Sequence, residues 1–183
     1  MRVITGISRG MRLKTVPGND IVRPTSEKIK EAIFSAIQFD IEGRRILDLF
    51  AGCGQLGIEA LSRGAESAVF VDASEISLGV VKENLRTTKL EENAIAIRSD
   101  YETYLARCND VFDIAFLDPP YRADLLEKAL KSTAKVMSDY GIIICEHPAD
   151  ISLPLSVDGF TATKNYKFGN IIVTVYRKGG NDV

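Results

Sequence analysis

Hydrophobic and polar residues along this chain change rhythm several times, and the changes give a first account of its fold. Five short apolar runs stand out: ILDLF (46–50), SAVFVD (67–72), AIAIR (94–98), FDIAFLD (112–118) and GIIICEH (141–147). Their nearly continuous apolar character predicts strands buried on both faces. Between them the period becomes helical. Residues 55–63 predict a helix that stops at Gly64, a residue suited to the C′ position. Ser74 is placed to cap a helix whose apolar positions Leu78, Val81 and Leu85 recur at helical spacing. Residues 100–107 predict a short helix and 123–137 a longer one. Upstream, Arg23-Pro24-Thr25-Ser26 opens a helix with Thr25 or Ser26 as its N-cap. Ile29, Ala32, Ile33, Ala36 and Ile37 then line one face at i, i+3, i+4, i+7 and i+8.

The two ends read differently. Residues 2–15 alternate loosely and break at Ser8-Arg9-Gly10, which predicts a short β-hairpin, and Val16-Pro17-Gly18-Asn19-Asp20 is loop by composition. Near the other end, 161–167 and 170–176 predict an antiparallel pair joined at Phe168-Gly169. With the five runs this makes a seven-stranded sheet. Strands alternating with helices imply an α/β fold, mostly parallel, with helices on both faces. The expected division is a hairpin over 1–22 and a main domain over 23–183.

A chain of 183 residues, 45% hydrophobic and 26% charged, fits one globular domain with a small appendage. No apolar run reaches the ~18 residues that cross a membrane, and the opening residues lack the core of a signal peptide. A cytoplasmic protein is expected. Cys53, Cys108 and Cys145 are odd in number and lack metal-like spacing, and His147 is the single histidine. They read as reduced thiols, with neither disulfide nor metal site. Charge is informative once divided. Residues 1–30 carry seven basic and two acidic side chains, a net +5, so with a total of −2 the remainder carries −7. A basic arm on an acidic body points to a polyanionic partner at one end of the molecule.

The chemistry gathers where predicted strands end. After ILDL the chain turns through Gly52 and Gly54 and enters a helix containing Gly57, a GxGxxG pattern that lets a ligand approach the backbone. Asp48 precedes it. A carboxylate there suits an ammonium better than a pyrophosphate, which favours S-adenosylmethionine over NAD. Asp72 closes the second strand, 24 residues after Asp48, where one carboxylate can accept from both hydroxyls of a ribose. Asp100 follows the third strand on the same edge, within reach of an adenine amino group.

The fourth strand ends in Asp118-Pro119-Pro120-Tyr121. Two prolines fix the backbone and withhold N–H groups. The Asp118 carboxylate and the Pro119 carbonyl match the two hydrogens of an exocyclic amine, and the Tyr121 ring offers a stacking face worth ~1–3 kcal/mol. His147 invites a general-base role, but a structural or peripheral one is favoured because the amine can lose its proton after transfer. Cys53 reads as a small tolerated residue.

The set DLFAGCGQLGIEALSRGA, FVDAS, the Asp100 step and DPPY resembles class I S-adenosylmethionine-dependent methyltransferases. RVITGISRGMRLKTVPG, RPTSEKIKEAIFSAI and GNIIVTVYR are similar to the RsmD family, end to end. The resemblance implies a Rossmann-like domain that methylates N2 of one guanine in 16S ribosomal RNA, on the small subunit or an assembly intermediate. S-adenosylhomocysteine would be the product, and a monomer is the expected form for a chain this small with a large RNA partner. It assigns the cofactor to Asp48, Phe50, Ala51, Gly52, Gly54, Asp72, Ala73, Asp100 and Tyr101, with Thr25 and Arg23 reaching its carboxylate or the RNA. Asp118, Pro119, Pro120 and Tyr121 would hold the base, and Arg2, Arg9, Arg12, Lys14 and Arg23 the RNA. The family usually has serine at Cys53 and a smaller residue at Gln55. DPPY is shared with adenine-N6 methyltransferases. An NAD-dependent oxidoreductase and an RNA-binding protein with an inactive crevice are the more distant alternatives.

Overall fold

The computed structural model describes residues 1–17, 27–120 and 123–179. The proposed cap at Thr25 or Ser26, the loop beyond Pro17, Arg23 and Tyr121 lie outside the described residues. An α-helix, α1 (Glu27–Ala36), precedes a strand–helix alternation: β1 (Arg45–Leu49), α2 (Gln55–Ser62), β2 (Ser67–Asp72), α3 (Glu75–Thr88), β3 (Ala94–Arg98), α4 (Tyr101–Arg107), β4 (Phe112–Leu117), α5 (Ala123–Ala134) and β5 (Met137–Pro148). Three strands close the chain: β6 (Ser156–Val157), β7 (Phe160–Phe168) and β8 (Ile171–Lys178). They form one sheet in the order β3-β2-β1-β4-β5-β8-β7-β6. The β1 to β5 neighbours are parallel, and the β5–β8, β8–β7 and β7–β6 pairs are antiparallel.

The sheet has eight strands where the apolar pattern predicts seven. The additional strand is β6, two residues long, turned back onto β7 by Asp158 (φ 44°) and Gly159 (φ 84°). Positive φ at both central residues is the geometry that an Asp-Gly hairpin turn favours. The last helix also ends earlier than predicted, at Ala134, because Met137 already pairs with Phe112 at the start of a longer β5.

Alternation along the strands builds two cores. Ile46, Phe70, Ile114, Phe116, Ile142 and Ile144 face α1, α2 and α3, while Leu47, Leu49, Val71, Ala115, Leu117 and Ile143 face α4 and α5. The helix ends use ordinary chemistry. Ser74 accepts from the Ser77 N–H at 3.2 Å to open α3, and Gly64 (φ 98°) follows α2 as predicted. Among the described residues no helix is long and apolar enough to cross a membrane.

The N-terminal arm makes a hairpin-like pair, with Val3 donating to Met11 O at 2.9 Å and Leu13 to Met1 O at 3.0 Å. Only Arg2 and Arg12 form a bridge of sheet type. The ladder is this short because the next two N–H groups turn elsewhere. Ile4 and Thr5 donate to the Glu59 carboxylate on α2 at 2.8 and 3.0 Å. Glu59 also accepts from Arg63 at 2.9 Å and lies 3.4 Å from Lys30 on α1. Both side chains of that last pair are fully buried. The Lys30 ammonium donates to the Arg2 carbonyl at 2.6 Å, and its pKa is lowered by burial against the opposing pull of Glu59. Val3 and Leu13 complete the attachment by entering the core between arm and helices.

Replacing Glu59 with alanine strands the buried Lys30 charge and leaves two arm N–H groups without an acceptor. The expected loss is about 3–5 kcal/mol in urea unfolding, and a loss below ~1 kcal/mol would contradict this role.

Candidate active site

The parallel register sets the site. Asp48 on β1 pairs with Phe70 on β2 and with Phe116 on β4. Asp72 and Asp118 therefore each stand two residues beyond Asp48's level on the flanking strands. Asp72 pairs with Arg98 of β3, and Asp100 follows two residues later. Four carboxylates are thus stepped along the carboxyl edge of four adjacent strands.

Asp48 is 3% exposed, and its Oδ2 accepts the Gly57 N–H at 2.9 Å. Glycine is required at 57. A Cβ there would lie 2.4 Å from the Phe70 ring and 3.1 Å from that same carboxylate oxygen. Burial raises the Asp48 pKa to about 7. The Gly57 bond opposes the rise, and the negative charges of Asp118 and Asp72 add to it.

The turn after β1 is tight. Phe50 takes φ 73°, rare for a residue with a side chain, and Phe50 and Ala51 both donate to the Val71 carbonyl, at 3.0 and 2.9 Å. Gly52 (φ 54°) and Gly54 (φ 78°) carry the chain into α2, with Gly54 donating to Ala51 O at 2.7 Å. Asp72 ties this turn to the next one. Its Oδ2 accepts from Gly52 N–H and its Oδ1 from Ser74 N–H, both at 2.8 Å. Each oxygen retains a further lone pair for a ligand hydroxyl.

Asp100 caps α4 by accepting from Thr103 N–H at 2.8 Å, and that bond is the first cause of its lowered pKa. The Tyr101 ring lies 5.4 Å from the Phe50 ring at 46°. Its hydroxyl donates to Glu102 at 2.9 Å, and burial followed by the Glu102 contacts pushes its pKa to about 12. Phe50 and Tyr101 thus bring two aromatic rings together beside the carboxylates. Asp118 is half-buried, Pro119 buried and Pro120 exposed.

Other candidates fall into place around this edge. His147 is 3% exposed between β5 and β8, with Nδ1 at 2.9 Å from Pro148 O and Nε2 at 2.9 Å from Thr174 Oγ1. Both ring nitrogens are engaged within the fold. Burial raises the Cys53 pKa, which opposes thiolate formation, and its sulfur sits 3.9 Å from Met1 Sδ. On the arm, Arg2 pairs with Glu27 at 3.4 Å and Lys14 with Glu83. Arg9 and Arg12 are exposed and, among the described residues, form no ion pair.

Sequence reasoning missed two buried polar residues, Glu59 and Asn84. Asn84, 1% exposed on α3, bonds both to the arm and to the glycine turn. The signal available was a polar residue beside the apolar positions Val81 and Leu85.

A GxGxxG turn at the head of a parallel sheet, acidic strand ends and a DPP step define the class I methyltransferase architecture. The chain matches the family model described as Conserved hypothetical protein 95 over residues 1–177, and it belongs to that family, the RsmD family. YlbH of Bacillus subtilis (strain 168) is 41% identical over 98% of this chain and 100% of its own length. Ribosomal RNA small subunit methyltransferase D of Escherichia coli (strain K12) is 30% identical, covering 97% of this chain and 90% of that protein. The solved structure of yhhF from Escherichia coli superposes with a TM-score of 0.86 at 30% identity, covering 99% of each chain.

Because burial raises the folded-state pKa of Asp48, its contribution to stability is complete below 3.8, the ordinary aspartate value, and is lost as pH rises through about 7. In Asp48→Asn the amide oxygen keeps the Gly57 bond and the titration disappears. The ligand-free variant should melt like the parent below the ordinary value and at a higher Tm above neutrality. Parallel Tm curves across that window would contradict the assignment.

Proposed function

We propose that this protein transfers a methyl group from S-adenosylmethionine to the exocyclic N2 amine of a guanine in small-subunit (16S) ribosomal RNA. Family membership makes it an S-adenosylmethionine-dependent rRNA methyltransferase. The base, the atom and the working form, a monomer in the cytoplasm, are the finer reading. The observation that carries the choice of cofactor is the register of β2, β1 and β4, which brings Asp72 and Asp118 to the same sheet edge as Asp48. That edge is built for a cation. S-adenosylmethionine carries a sulfonium and an ammonium, whereas the pyrophosphate of a dinucleotide would be repelled.

The residues present fit that cofactor along its length. Asp48 and the Gly52–Gly54 turn face the amino-acid end. Asp72 keeps acceptor capacity for the ribose diol, and Asp100 with the Tyr101 and Phe50 rings forms the adenine end. The bound cofactor supplies an electrophilic methyl on sulfur. Everything else falls to the chain. The Asp118 carboxylate and the Pro119 carbonyl accept from the two hydrogens of the guanine amine, holding its lone pair towards the methyl and favouring sp³ geometry. Catalysis is then alignment and charge placement, without a covalent enzyme intermediate. After transfer the amine carries an extra proton, which it releases without a dedicated base. The base reaches the pocket by flipping out of the RNA while Arg9, Arg12 and their neighbours hold phosphates, which position the RNA but do not specify it.

Asp118→Ala should lower methyl transfer to undermethylated small-subunit particles by about 100-fold or more. Equilibrium dialysis should find S-adenosylhomocysteine affinity nearly unchanged. Turnover like that of the parent would sink the mechanism.

A further inference from the structure

The two functional ends of this molecule meet at one buried side chain. Asn84 on α3 accepts from the Lys14 N–H through Oδ1 at 2.8 Å. Its Nδ2 donates to the Lys14 carbonyl at 3.0 Å and to the Cys53 carbonyl at 2.9 Å. Lys14 belongs to the basic arm, 70 residues away in sequence. Cys53 lies between Gly52 and Gly54, inside the turn that faces the cofactor's amino-acid end. The amide orientation is dictated by its partners, because only the oxygen can meet an N–H and only the nitrogen can meet two carbonyls.

We propose that Asn84 is a positioning residue that couples the arm to the cofactor turn, so that RNA and cofactor bind with positive cooperativity. The inference rests on the function proposed above. Its physical basis is that Asn84 is 1% exposed, so a partner it loses is not made good by bulk solvent. If the turn shifts, Nδ2 loses one acceptor. If the arm shifts, both Lys14 backbone groups and the Asn84 oxygen lose theirs. Each placement is therefore more favourable when the other is in place. A ligand that fixes the turn lowers the cost of fixing the arm, and linkage makes the effect reciprocal.

The rest of the arm's attachment runs to α1, to α2 and to α3, where Ser8 Oγ meets the Thr88 carbonyl at 2.9 Å and the Lys14 ammonium pairs with Glu83. Among the described residues the hydrogen bonds through Asn84 are the ones that join the arm to the turn itself. The other link is the contact between Met1 Sδ and Cys53 Sγ at 3.9 Å, a weak one.

The test uses the full chain, tritiated S-adenosylhomocysteine, and small-subunit particles from cells lacking the enzyme. In the unaltered protein, particles should tighten S-adenosylhomocysteine binding on the order of tenfold, and S-adenosylhomocysteine should tighten particle binding by the same factor. In Asn84→Ala both ligands should still bind alone, but the factor should fall to about twofold or less. Coupling that survives in Asn84→Ala, or is absent from the unaltered protein while both ligands bind, overturns the proposal. If the unaltered protein binds neither ligand, the proposed function fails instead.

A second measurement needs no variant. Hydrogen exchange at the Lys14 amide should slow when S-adenosylhomocysteine alone is added, and by more than at the Ile4 and Thr5 amides held by Glu59, whereas a purely structural asparagine would leave all three slowed alike by global stabilisation. An unchanged Lys14 rate with the ligand bound overturns the coupling.

Discussion

A carboxylate held in the interior against one backbone N–H organises this molecule. Asp48 stands one residue before the end of β1 with almost no exposure and accepts from Gly57, so the first turn of α2 must lie directly against the end of the sheet. That approach excludes any side chain at residue 57 and demands left-handed backbone at Phe50, Gly52 and Gly54. Burying a carboxyl group there is costly, as its raised pKa records. Under the proposed function, Asp48 is one half of an ion pair that the cofactor's ammonium completes.

The second organising device is polar and runs through the interior of the other half. The arm would be a marginal hairpin by itself, with one bridge between its segments. It becomes part of the protein because Glu59, Ser62, Asn84 and Lys30 each present a buried polar atom to its backbone. Gly6 shows how close the fit is. A Cβ at that position would fall 1.7 Å from the Ser62 carbonyl oxygen. The surface that carries Arg9 and Arg12 is thereby fastened to α1, α2 and α3.

Much of this was legible beforehand, for identifiable reasons. Four of the five parallel strands are buried on both faces, so their apolar runs are unmistakable; β3, predicted to be buried likewise, is the sheet's edge and leaves Ile95 60% exposed. Asp48, Asp72, Asp100 and Asp118 are visible because each interrupts or follows such a run. β6 escaped because two residues carry no periodicity, although Asp158-Gly159 was a turn signal. The end of α5 was misplaced because the start of β5, Met137-Ser138-Asp139-Tyr140, is largely exposed and polar after its first residue. Arg2 and Lys14 read as RNA contacts, and the carboxylate that each faces, Glu27 and Glu83, was not visible in the sequence. Glu59 and Asn84 join residues 54 to 70 positions apart, and one sequence gives no sign of such pairings.

The most direct test of the central claim is nucleoside analysis of small-subunit RNA after incubation of undermethylated particles with this protein and tritiated S-adenosylmethionine. The account predicts label in N2-methylguanosine from 16S rRNA. Label in N6-methyladenosine, or no label in RNA despite bound cofactor, would contradict it.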